Sequence, residues 1–92
     1  MTNIQRIKIV LEKMVELLRL GSSDDWANVI EKCNREIGIS PTDTARRILS
    51  MYGGMGSLND LVLHRNRQPL AKENDELDAL RLELYQLCHE IS

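Results

Sequence analysis

A chain of 92 residues with a 42% hydrophobic share is one small domain with enough apolar material for a core, which excludes a disordered chain. With no Phe, one Trp and two Tyr, that core is predicted to be aliphatic. The net charge of −2 carries no basic stripe, so a general nucleic-acid binder is excluded. No apolar run approaches the roughly 18 residues of a membrane span. The N-terminal residues lack the charged start, apolar stretch and cleavage site of a signal peptide, and the expected compartment is the cytoplasm.

The first helix is predicted over about Asn3 to Leu20, because Ile4, Ile7, Leu11, Met14 and Leu18 recur at three- and four-residue steps. Val10, Val15 and Leu17 widen this stripe, and Gly21 is placed to cap the helix end. A start signal of serine, two residues and aspartate then appears three times, at Ser22–Asp25, Ser40–Asp43 and Ser57–Asp60. In each, the serine oxygen is expected to accept from a first-turn amide, and the acid to face the positive end of the helix dipole. The second helix is accordingly predicted from Asp24 to Ile37, burying Trp26, Val29, Ile30, Cys33 and Ile37, with Gly38 ending it. The third, with Pro41 in its first turn, runs to Tyr52 and buries Ala45, Ile48, Leu49 and Tyr52.

Gly53, Gly54 and Gly56 then interrupt the helical pattern. Three glycines in four positions predict a shaped turn, since Gly reaches backbone angles closed to other residues. Ser57, Asn59 and Asp60 complete this structural motif and open a short helix containing Leu58, Leu61 and Val62. The polar run His64–Pro69 is predicted as a loop. The last helix starts between Ala71 and Asp75 and continues to about Ile91, with Leu77, Leu80, Leu84, Leu87, Cys88 and Ile91 as its stripe. The fold class is all-α: a compact bundle of four main helices plus one short helix, with residues 1–92 as a single helical domain.

Few constellations carry chemistry. The glycine turn precedes a helix start, where backbone amides can cradle an anion, but no lysine lies between Lys32 and Lys72 to complete a nucleotide phosphate loop. His64 and His89 are the only histidines, and neither has a ligand partner at helical spacing, so no metal and no cofactor is expected. No nucleophile–base set is identifiable, and no catalytic residue is assigned. Cys33 and Cys88 lie on apolar faces and read as buried free thiols, although an even pair leaves a disulfide open. Of Arg46 and Arg47, one is expected to pair within the chain and the other to be solvated.

Acidity is concentrated beyond residue 70, where six acids face only Lys72 and Arg81. Glu73, Asp75, Glu76 and Asp78 suit the first turns of a helix, and the surplus charge is available to a basic partner. Asp24 and Asp25, opening the second helix, are the other candidate partner-binding acids.

The run Leu49-Ser50-Met51-Tyr52-Gly53-Gly54-Met55-Gly56-Ser57-Leu58-Asn59-Asp60-Leu61-Val62-Leu63 resembles a family of small, uncharacterised bacterial all-α proteins. Those proteins share Gly-Gly-Met-Gly-Ser, an apolar residue, Asn-Asp and Leu-Val-Leu. Asn74, Leu77, Leu80, Arg81, Leu84 and Tyr85 look like the same family's final helix. The resemblance implies a small accessory protein of the kind found beside polymorphic or contact-dependent toxin genes. The function expected from it is that of an immunity protein, which binds and neutralises a cognate toxin domain, with a nuclease as the leading target. A carboxylate-rich surface would suit such a target by speeding encounter and competing with phosphate. The alternatives are a housekeeping interaction module or a homodimeric structural protein without a toxin partner; a small enzyme or ligand-binding bundle ranks third.

Overall fold

In a computed structural model, which describes residues 1–53 and 55–92, the aliphatic stripes fold into four helices. These are α1 (Asn3–Leu20), α2 (Asp24–Ile37), α3 (Pro41–Leu49) and α4 (Ala71–Ile91). A single 3-10 turn covers Leu58–Asp60, and two-residue strands β1 (His64–Arg65) and β2 (Gln68–Pro69) form an antiparallel ribbon. The protein is all-α in class. α1 packs against α2 and α4, and α3 against the same two, so α2 stands diagonally opposite α4. One cluster joins them, with Ile7, Leu11, Met14 and Leu18 from α1, Ile30 and Ile37 from α2, Ile48 from α3, and Leu77 and Leu84 from α4. Each such aliphatic side chain contributes roughly 1.5–3 kcal/mol when fully buried.

The α1 and α2 limits agree with their periodicity, but the helix starts differ in mechanism. Ser23, not Ser22, is the N-cap of α2; Ser40 and Ser57 stand at the predicted starts, yet none of these three cap residues makes a side-chain cap bond. The reciprocal capping box that does form is at Thr2 and Gln5: the Gln5 amide donates to Thr2 Oγ1 at 3.1 Å and the Thr2 amide to Gln5 Oε1 at 2.9 Å. Gly21 ends α1 by donating to the Leu17 carbonyl at 2.9 Å with an ordinary negative φ. In α2, Ala27 is buried whereas Val29, predicted inside, is exposed.

α3 stops three residues earlier than predicted. The Met51 and Tyr52 amides bond the Ile48 and Leu49 carbonyls, tightening the chain into i→i+3 turns, and Gly53 at φ +89° reverses it. The Leu58 amide closes the glycine segment onto the Met51 carbonyl at 2.9 Å, and Gly56 takes φ +73°. Gly54 lies outside the described residues. The predicted short helix shrinks to one 3-10 turn; Leu61 is extended, Val62 is exposed, and Leu63 enters the core instead. The predicted loop at His64–Pro69 is a hairpin, because Asn66 and Arg67 take φ of 53° and 66°, as a two-residue type I′ turn requires.

Candidate functional site

The segment between the glycines and the hairpin has almost no regular structure of its own. It is held by polar side chains reaching out of α4. Asn74 faces the Leu63 backbone with both ends of its amide: Oδ1 accepts from the Leu63 amide at 2.7 Å, and Nδ2 donates to the Leu63 carbonyl at 3.0 Å. Two turns on, the buried Arg81 donates from Nη1 to the Leu58 carbonyl at 2.8 Å and the Leu61 carbonyl at 2.9 Å. Its Nη2 pairs with Asp78. The Tyr52 hydroxyl donates to the Arg81 carbonyl at 2.7 Å, and burial pushes its phenol well above the ordinary range. A buried charge is tolerable only when its donors are used, and here Arg81 serves the Leu61 carbonyl and adds a second bond to the Leu58 carbonyl, which the Leu61 amide reaches only at 3.5 Å.

This framework supports a groove of about 580 Å³. Leu49 and Tyr52 line it from the end of α3, Gly53 and Asn59 from the glycine segment, and Asp78, Arg81, Leu82 and Tyr85 from α4. The rings of Tyr52 and Tyr85 meet edge to face at 5.1 Å, and the imidazole of His89 lies 4.6 Å beyond Tyr85. Leu82 is 60% exposed and Tyr85 39%, so the apolar lining opens to solvent. Met55 protrudes from the glycine segment at 97% exposure.

The six candidate acids do not form one surface. Asp75 and Asp78 lie on the α4 stripe that carries Leu82 and Tyr85, since steps of three and four residues keep to one face. Glu73 and Glu76 fall about 140–160° around the same axis from Asp78, on another flank. Asp24 and Asp25 are on diagonally opposed α2, and Asp24 is 3.6 Å from Arg19 Nη1. Of the motif residues, Gly53 and Asn59 line the groove, and Asp60 Oδ2 accepts from the Gly56 amide at 3.3 Å. Ser57 Oγ is buried and has no partner among the described residues.

Sequence reasoning missed Leu82, Tyr85 and the inner role of Arg81. A signal was present: Leu82 and Tyr85 stand off the Leu77–Leu84 stripe, and Arg81 stands at its edge. A second acidic concavity, of about 320 Å³, is lined by Glu12, Val15, Glu16, Glu31 and Asn34 between α1 and α2, with Glu31 already paired to Arg19 and Arg35.

Elsewhere, two ion pairs join neighbouring helices. Arg6 grips Glu83 with two nitrogens and Arg47 pairs with Glu36; each carboxylate is held below its usual range, first by the hydrogen bond from its arginine. Cys33 and Cys88 are buried and unpaired; burial raises both thiols, Cys88 to about 12. Among the described residues, no three His, Cys, Asp or Glu side chains converge as metal ligands, and no helix is long and apolar enough to cross a membrane.

Fold and groove together define a small helical protein whose C-terminal helix and glycine segment frame an open, partly aromatic cleft. The chain belongs to the family described as "Domain of unknown function (DUF6966)", which matches residues 19–71. That span runs from the end of α1 through the glycine segment and hairpin to the first residue of α4. No curated protein and no solved structure matches the chain.

Proposed function

We propose that the protein works by binding another protein, and that it is an immunity protein neutralising a cognate bacterial toxin domain from the cytoplasm, with no chemistry of its own. The observation that carries the binding reading is the exposure of Leu82 and Tyr85 in a groove whose other walls are held by Arg81 and Tyr52. Apolar side chains left in solvent beside a preorganised cleft favour association over catalysis, because ordering costs are already met. The acids on the exposed flanks of α4, Asp75 on the face that carries Leu82 and Glu73 and Glu76 beside it, favour a basic surface such as that of a nuclease. The motif resemblance supplies the toxin context.

The test is a search of the neighbouring genes for a toxin domain, whose absence would count against this reading, and co-expression with the domain found. Growth should be rescued, and the two chains should co-elute as a stoichiometric complex. A folded chain that neither rescues growth nor binds the toxin domain would refute this reading. Self-association without that complex would favour the homodimeric structural protein.

A further inference from the structure

We infer that the outward face of α4 is a self-association surface, on which a second copy of the chain packs antiparallel across a twofold axis at Leu82. This goes beyond the toxin-binding reading and does not rest on it. Leu82 is 60% exposed and Tyr85 39%, and around them α4 leaves Asp75, Asp78, Ala79, Gln86 and His89 exposed. At about 100° per residue, all of these fall within about 60° of Leu82 around the helix axis and form one continuous seam. Asp75 stands seven residues before Leu82, and His89 seven residues after it. Among the described residues the Asp75 carboxylate has no ion pair, and the His89 ring meets only the edge of Tyr85. The seam therefore has an acceptor at one end, a donor at the other and an uncovered leucine midway.

Such a pattern is complementary to itself. Antiparallel pairing about that axis sets Leu82 against Leu82 and brings Asp75 of each copy to His89 of the other. A twofold axis also brings like flank to like flank, so Tyr85 meets Asp78 on one side of the seam and Ala79 meets Gln86 on the other. The Tyr85 phenol offers a donor to Asp78 Oδ2, the oxygen that Arg81 does not bond, and Ala79 leaves room for the longer Gln86. Every contact away from the axis is made twice, as an isologous interface requires. Like charges penalise the alternatives: parallel helices would set Asp75 on Asp75, and an axis one turn nearer the start of α4 would set Asp78 on Asp78. From Asp75 to His89 the seam runs about 21 Å. A single helix pair of that length buries less than the roughly 800 Å² per partner of a stable complex, so the dimer is weak and reversible. Another protein that uses Leu82 displaces the second copy.

The experiment is sedimentation equilibrium of the full chain from about 10 μM to about 1 mM, where mass action favours the associated form as concentration rises. The weight-average mass should climb from that of one chain toward that of two. Leu82→Asp, which sets two carboxylates on the axis, should weaken the dimer about tenfold or more. Asp75→Lys and His89→Asp should each weaken it about threefold to tenfold, and the two together should restore it, because the opposite charges then meet again across the seam. A merely structural role for either residue would give no such rescue, since the two lie about 21 Å apart on one helix. Geometry has its own readout: Leu82→Cys should cross-link to its own copy under copper phenanthroline, and Glu76→Cys, on another flank, should not. A chain that stays monomeric to about 1 mM, cross-linking at position 76 as readily as at 82, or a double variant no better than its singles overturns the inference. Neutralisation by a chain that never self-associates would refute the dimer but keep the immunity reading. A dimer with this register from a chain that neutralises nothing would do the reverse.

Discussion

Gly21 and Leu63 touch. An ideal β-carbon built on Gly21 would stand 2.7 Å from Leu63 Cδ2 and 2.9 Å from Leu63 Cβ, closer than real contacts allow. Leu63 is fully buried, and Asn74 pins its backbone with two hydrogen bonds. The corner after α1 thus receives the end of the glycine segment, tying two parts of the chain more than forty residues apart.

That contact makes Gly21 a steric position, not a conformational one, because its φ is −86°. Gly21→Val should destabilise the fold by about 1–3 kcal/mol through overpacking, and Leu63→Ala in the same chain should recover part of the loss. Gly53 and Gly56 behave oppositely: their β-carbons meet nothing within 4 Å, but φ is +89° and +73°. Gly56→Val should cost about 1–2 kcal/mol in backbone strain, and Gly56→Asn distinctly less. Urea unfolding of the four variants checks both mechanisms. Equal losses for Val and Asn at position 56 would reject the conformational account.

Asn74 is predicted to matter through its amide, not its size. Asn74→Ala should cost about 1–3 kcal/mol, because it leaves the Leu63 amide unpaired while the Leu63 carbonyl keeps its bond from the Leu70 amide. Asn74→Asp should be worse at neutral pH than at acid pH, since its carboxylate would face the Leu63 carbonyl. A melting temperature for Asn74→Asp that is independent of pH between 4 and 7 would contradict the geometry.

Arg81 should be irreplaceable by lysine. Its fork reaches two carbonyls and Asp78, which a single ammonium does not span. Arg81→Lys should lose part, and Arg81→Met most, of about 1.5–3 kcal/mol, while Tyr52→Phe should lose about 0.5–1.5 kcal/mol. Hydrogen exchange offers the local readout: amides of residues 58–63 should lose protection in Arg81→Met before those of α1 and α2 do.

Stability should fall at both ends of the pH scale for different reasons. Glu36 and Glu83 have folded values below the ordinary 4.5, so their contribution is full above 4.5 and disappears as pH drops through the lower folded values. Cys33 and Cys88 are raised from 9.0, so theirs is full below 9.0 and fades as pH rises, for Cys88 toward about 12. A plateau in melting temperature between these limits is expected, together with thiols that resist an aromatic disulfide reagent at pH 8 until denaturant is added. Rapid modification of either cysteine in the native protein would contradict the packing.

The sequence by itself determined where α1 and α2 run. α1 and α2 are set by apolar spacing alone, since a 3.6-residue period and a glycine after it are local properties. Local properties also decided the off-stripe positions of Leu82 and Tyr85. Whether those side chains were covered was not local. Only tertiary structure brought Leu49, Tyr52 and Gly53 beside them without closing over them. The hairpin was hidden because Asn-Arg is not a usual type I′ pair, and its positive φ values stand in a segment anchored at both ends. The serines marked their starts approximately, but nearby chain geometry decided whether their hydroxyls bonded, and Thr2 with Gln5 made the cap instead. Gly21 shows the division most directly. Sequence gives a helix end there, while the reason no side chain fits is a leucine brought in from far along the chain.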